Sequence, residues 1–170
     1  MSPAELRRRL DFTDAQLLAE CDVHRYRAGG PGGQHRNKIA SAVRLHHRPS
    51  GLVAVATESR LQGENRARAL RRLRAAIALA GRLPLPDKIT WPATVQIVAG
   101  CLRINAHNPG IHHVIALLLD ALAQAGGNPA AAAELLGLTS SSLVRVLRDH
   151  PHAWREASHI RAAAGLPPLK

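Results

Sequence analysis

Four glycines around one proline, Gly29-Gly30-Pro31-Gly32-Gly33, run directly into Gln34, His35, Arg36, Asn37 and Lys38. Such a backbone can take φ > 0 at several successive positions and can press against another molecule with few Cβ atoms in the way. The run predicts a loop built for close approach. The amide of Gln34 and the cations after it point to a polyanionic target. Most glycine-rich loops are only flexible turns, so the flanking sequence decides what this one does.

Those flanks read as alternating helix and strand signals. Ser2-Pro3-Ala4-Glu5 and Thr13-Asp14-Ala15-Gln16 are capping boxes, the first with Pro at the first helical position, and they predict two short helices before residue 21. Cys21 to Arg27 reads as a strand that feeds the glycine run. Ile39, Val43 and Leu45 alternate with Ala42, Arg44 and His46, Arg48-Pro49-Ser50-Gly51 supplies turn chemistry, and Leu52 to Ala56 resumes strand character, which predicts a hairpin. From Gln62 to Ala80 the period becomes helical. Leu70, Leu73, Ile77 and Ala80 share the buried face, and Arg68, Arg71 and Arg72 form an outward stripe.

Charge follows the same division. Residues 1–82 carry 16 Lys and Arg against 7 Asp and Glu, a net +9, while residues 83–170 carry 7 against 5, a net +2. A basic first half favours nucleic acid over an anionic membrane. No apolar run approaches the roughly 20 residues that span a bilayer, and the N-terminus lacks the apolar core of a signal peptide. A cytosolic protein without a membrane partner is expected. Cys21 and Cys101 are solitary, so neither a disulfide framework nor a thiolate zinc site is supported, and both are expected to be small buried hydrophobes.

Gly81-Arg82-Leu83-Pro84-Leu85-Pro86 ends the long helix as a stiff linker and places the domain boundary between residues 82 and 83. After an indeterminate stretch from Trp91 to Asn108, the second half is expected to be all-helical. His112 to Ala125 forms one helix; Asn128 caps a second running to Leu136; Ser140 caps a third through Asp149. Ala133, Gly137 and Leu143, with Leu136, Leu138 and Val146 as packing residues, give residues 128–150 a helix-turn-helix pattern. Its second helix offers mostly hydroxyls, Thr139 to Ser142, with Arg145, where base readout usually draws on Arg, Lys, Asn or Gln.

Other chemistry finds little support. His46-His47 and His112-His113 are adjacent pairs whose side chains point apart, and no carboxylate stands at ligand spacing beside them, so no metal or other cofactor is expected. The glycine run lacks Gly-Lys-Ser/Thr and is not a Walker loop, and no nucleophile elbow presents a serine.

Taken together, residues 21–80 resemble the catalytic domain of class I peptide chain release factors and of the related ribosome-rescue peptidyl-tRNA hydrolases. The resemblance rests on Gly30-Pro31-Gly32-Gly33-Gln34-His35, Asn37-Lys38, Ser41 to Leu45, His47, Pro49, Ser50 to Val53, and Arg60, Gln62 and Asn65 leading into the Ala/Leu/Arg helix. Gly29, Arg36, Leu61 and Gly63 depart from the family's common residues. The implied fold is α+β: a small catalytic domain over residues 1–82, with a hairpin or sheet packed on a long helix, then a helical domain over 83–170.

The resemblance implies hydrolysis of the ester between nascent peptide and P-site tRNA, within the large ribosomal subunit. The backbone N–H of Gln34 is then the oxyanion donor. Its side-chain amide orders water, and Gly32 and Gly33 permit a conformation that a Cβ forbids. An amide is no general base, so proton transfer falls to RNA, substrate or solvent. His35, Arg36, Asn37 and Lys38 contact rRNA and tRNA phosphates, Arg27 and Arg44 assist from the flanking strands, and Arg68, Arg71 and Arg72 extend the basic surface. Within 170 residues there is no room for a stop-codon-reading domain, and the C-terminal Gly165 to Lys170 is not a Lys/Arg-rich tail. The expectation is a monomeric, codon-independent rescue hydrolase. The alternative is a non-enzymatic RNA- or ribosome-binding module, or a helix-turn-helix DNA-binding regulator.

Overall fold

The computed structural model describes residues 1–27 and 40–169, and the chain divides into two compact units, Met1–Ile77 and Ala78–Lys170. In the first unit, helices α1 (Pro3–Arg8) and α2 (Asp14–Ala19) precede a sheet of β1 (Cys21–Tyr26), β2 (Ala42–His47) and β3 (Val53–Ala56). Both capping boxes form: Ser2 exchanges hydrogen bonds with Glu5, and Thr13 with Gln16. The sheet is antiparallel with β2 central, in a register that sets His24 beside Arg44 and Arg44 beside Val55. Helix α3 (Gln62–Leu79) follows. Its buried residues are Ala69, Leu70, Leu73 and Ile77, and they complete a core with Leu6, Leu10, Leu17, Val43, Leu45, Ala54 and Ala56. Ala80, expected on the buried face, lies beyond the helix end and is exposed.

Side-chain hydrogen bonds fasten α3 near its start and beyond its middle. Near its start, the fully buried Asn65 donates to the carbonyls of Ser41 (2.7 Å) and Ser59 (2.8 Å) and accepts from the Ser59 amide (2.9 Å). Further along, Arg74 donates to the carbonyls of Leu10 (3.1 Å) and Phe12 (2.7 Å) and to the Asp14 carboxylate (2.8 Å).

The second unit departs from the all-helical expectation. Strands β4 (Gln96–Val98) and β5 (Cys101–Arg103) pair antiparallel across Ala99 and Gly100, whose φ values of 48° and 72° are those of a primed hairpin turn. Four helices follow: α4 (Ile111–Gln124), α5 (Pro129–Leu135), α6 (Ser140–Arg148) and α7 (Pro151–Ala163). The core joins Leu102 of β5 to Leu118, Leu119 and Leu122 of α4, Ala132 and Ala133 of α5, Leu143 and Leu147 of α6, and Ala153 and Ala157 of α7. The proline-rich segment after α3 is part of this unit and not a free linker. The Leu83 amide donates to the buried Asp120 carboxylate (3.1 Å), and the Leu85 amide to Gln124 (3.0 Å). Thr139, not Ser140, caps α6. Of the two cysteines, Cys21 is buried and Cys101 only partly so. Among the described residues no single helix is long and apolar enough to cross a membrane.

Candidate functional site

The central residues of the glycine-rich motif, Gly32, Gly33 and Gln34, and the adjacent His35, Arg36, Asn37 and Lys38 lie outside the described residues. What is described is the frame around them. The segment leaves from the end of β1 and returns at the start of β2. Antiparallel pairing brings those two points together, with Tyr26 opposite Ala42. Asn65 grips the return point through the Ser41 carbonyl. An asparagine buried without those partners would cost about 1–3 kcal/mol in lost hydrogen bonds, so the residue specifies where the chain re-enters the sheet.

Arg27 directly follows β1 and is exposed, and Arg44 is exposed on β2. Side chains alternate across a strand, so Arg44 shares a face with its cross-strand neighbour His24. His24 was not among the expected contacts, because only the register reveals it. The arginine stripe of α3 is not uniform. Arg72 donates to the Val55 carbonyl and to the Glu58 carboxylate, which it holds below the usual carboxylate range, so it ties α3 to β3. Arg68 lies 3.7 Å from Glu64 one turn earlier. Arg71 is exposed and has no partner among the described residues. A cleft of about 240 Å³ beside the sheet is lined by Arg25 and Arg66 with Leu18, Val23, Val43, Gln62 and Gly63, and no carboxylate lines it.

At the opposite end of the sheet a buried network appears that spacing alone could not show. His47 is fully buried and uses both ring nitrogens, Nε2 to Glu20 Oε2 (2.9 Å) and Nδ1 to Ser50 Oγ (2.6 Å). Arg9 adds two bonds to the same carboxylate, at 3.1 and 3.0 Å, and these bonds, followed by that of His47, pull the Glu20 carboxyl below its ordinary range. The order serine, histidine, carboxylate matches a nucleophilic triad, yet its placement does not. Ser50 also accepts the Leu52 amide (3.3 Å) inside the β2–β3 turn, so the network pins α2, β1 and that turn together. His46, its sequence neighbour, points the other way and lies 3.3 Å from Asp22. Among the described residues no group of three His, Cys, Asp or Glu is placed to hold a metal ion.

In the second unit α5 and α6 form the helix-turn-helix. Gly137 turns the chain at φ 65°, the Leu138 amide returns to the Ala133 carbonyl (2.8 Å), and Leu136, Leu138, Leu143 and Val146 are buried. The hairpin is fastened to α6 at three points. The Thr139 amide donates to the Gly100 carbonyl (2.9 Å), the Leu102 amide to Ser142 Oγ (2.8 Å), and Arg145 to the Leu102 carbonyl (2.6 Å). Beside this junction lies a cleft of about 650 Å³.

The RF-1 domain family matches residues 17–84, the span from α2 through α3 and just beyond it. Residues 17–84 are a class I release factor domain. Peptide chain release factor 2 of Paramagnetospirillum magneticum is 49% identical over 68 residues, covering 39% of this chain and 18% of that protein. Peptide chain release factor 1 of Symbiobacterium thermophilum is 56% identical over 52 residues, covering 31% and 15%. Peptide chain release factor 1 of Acidiphilium cryptum is 46% identical over 71 residues, covering 38% and 20%. The chain thus spans no more than a fifth of the length of these relatives. A different family, Bacterial regulatory protein, Fis family, matches residues 116–150, from within α4 through α6.

Proposed function

We propose that this protein hydrolyses the peptidyl-tRNA ester on the ribosome without reading a codon, and so frees stalled ribosomes. The observation that carries the reading is the release factor domain match over residues 17–84, which encloses Gly32-Gly33-Gln34. The Gln34 N–H would then meet the developing oxyanion. Removing such a donor costs about 2.7–4 kcal/mol in other acyl-transfer sites. The Gln34 amide would order water, and Gly32 and Gly33 would admit the backbone to the reacting carbonyl. His35, Arg36, Asn37 and Lys38 would hold rRNA and tRNA phosphates, with Arg27, Arg44, Arg68, Arg71 and Arg72 extending the contact. Codon independence is part of this proposal, and the release assay below tests it. The protein would act as a monomer in the cytosol, with the large subunit and P-site peptidyl-tRNA as its partners and no cofactor.

The test is peptide release from purified ribosomes carrying P-site peptidyl-tRNA, with the A site empty, holding a sense codon, or holding a stop codon. Release in all three states is expected, and strict stop-codon dependence would overturn the codon-independent reading. The Fis-family match favours a second reading, a DNA-binding regulator. That reading requires sequence-selective binding to duplex DNA and no peptide release.

A further inference from the structure

The cleft beside the helix-turn-helix lies wholly within the second unit. It is lined by Arg103 of β5 and Arg145 of α6, by Gln96 of β4, and by Thr94, Asn105 and Asn108 from the adjoining segments, with no carboxylate among the lining residues. The carboxylate nearest to Arg145 is Asp149, 3.8 Å from its guanidinium and more than half exposed. Arg145 is held in place by its bond to the Leu102 carbonyl, so little side-chain freedom remains to be lost on binding. Asn108 is spent internally, on Thr94 and the Gly110 amide. The Arg103 guanidinium, the side-chain amide of Gln96 and the Asn105 Nδ2 have no hydrogen-bond partner among the described residues. Two guanidinium groups and two unengaged carboxamides form the donor set that takes phosphate and reads base edges.

The shape of the site selects among nucleic acids. A helix-turn-helix inserts the N-terminal end of its second helix into a duplex groove. Here that end is bound to the hairpin through Thr139 and Ser142, and Gly100 packs so closely that an added Cβ would lie 3.3 Å from Thr139. The remaining channel between hairpin and α6 suits a ligand narrower than a duplex.

We infer that the cleft between the β4–β5 hairpin and α6 binds a single-stranded segment of RNA, its phosphates on Arg103 and Arg145 and its base edges against Gln96 and Asn105. The choice of RNA rests on the ribosomal reading above. The site would give the second unit its own hold on the ribosome.

The test is the salt dependence of binding of a short single-stranded RNA of mixed sequence to the full chain, with duplex DNA of equal length in parallel. Arg103→Glu removes a phosphate contact from an exposed side chain. Asn105→Asp adds charge to the cleft while keeping the acceptor for the His107 amide. Each variant should weaken RNA binding about tenfold, and Arg103→Glu should lower the slope of log K against log salt by about 0.7. RNA affinity and slope unchanged in both variants would overturn the inference. So would tighter binding of duplex DNA that the same variants weaken. Peptide release by the parent chain is scored separately: a releasing parent with unaffected variants defeats only the cleft, and a non-releasing parent with weakened variants defeats only the hydrolase reading.

Discussion

The two units solve the problem of stability differently. Met1–Ile77 carries 15 Lys and Arg against 7 Asp and Glu, and Ala78–Lys170 carries 8 against 5. In the first unit, polar side chains inside or along the fold define the geometry: Asn65, His47 with Glu20 and Arg9, and the Arg74 fork onto the N-terminal carbonyls. The second is an aliphatic cluster of Leu, Ile, Val and Ala, in which Asp120 and Ser142 are the buried polar groups. On the proposed ribosomal reading, the first unit's surface has to meet polyanion, which leaves little freedom for apolar area. Position is then specified by hydrogen bonds whose loss is costly, because a buried unpaired group recovers nothing from water.

That contrast breaks first under core truncation. Leu118→Ala removes a fully buried side chain from the second unit and should cost about 2–5 kcal/mol there. Both tryptophans, Trp91 and Trp154, lie in this unit, so the loss should appear in tryptophan fluorescence melting. Amide exchange of the first-unit sheet should stay protected.

Asn65→Ala should cost about 1–3 kcal/mol, confined to the first unit, because it strands the Ser41 and Ser59 carbonyls and the Ser59 amide. Exchange at Ser59 and along β2 should accelerate while tryptophan fluorescence melting does not move. A matching fall in both units would show that the contrast is not one of separate cores.

The Glu20 network sharpens the comparison through pH. Its folded carboxyl lies below the unfolded value because Arg9 and His47 favour the charged form. The stability it contributes is therefore present above the unfolded pKa and is lost as pH falls through the folded one. Acid titration should destabilise the first unit through the carboxylate range, and Glu20→Gln should flatten that acid limb. Smallest of all, Ala99→Gly should stabilise the hairpin by about 0.5–1 kcal/mol, since φ 48° penalises a Cβ. Thermal melting of the second unit measures it.

Elements with local chemistry were legible. The two capping boxes, the β2–β3 hairpin, α3 and the turn at Gly137 each carry their signal within a few residues. The β4–β5 hairpin was not, because its strands have three residues each and Ala99-Gly100 is a weak form of the usual Asn-Gly signal. Helix α7 fits the all-helical expectation for this half, with its start marked by Pro151 at the first position and its inner face by the buried Ala153 and Ala157. The pairing of His47 with Glu20 spans 27 positions, and that of Arg44 with His24 depends on register, so neither could be read without the fold. Of the candidate site, the motif and its cations were readable as chemistry, whereas the engagement of Arg72 by Glu58 and Val55 was not.

The central claim is that the glycine-rich segment of the first unit performs the chemistry. Gly33→Ala tests it most directly, in single-turnover peptide release from ribosomes saturated with the protein. The variant should bind ribosomes as the parent does and release peptide about 10²-fold more slowly, the scale of a lost oxyanion donor. Release at the parental rate from an equally bound variant would contradict the claim.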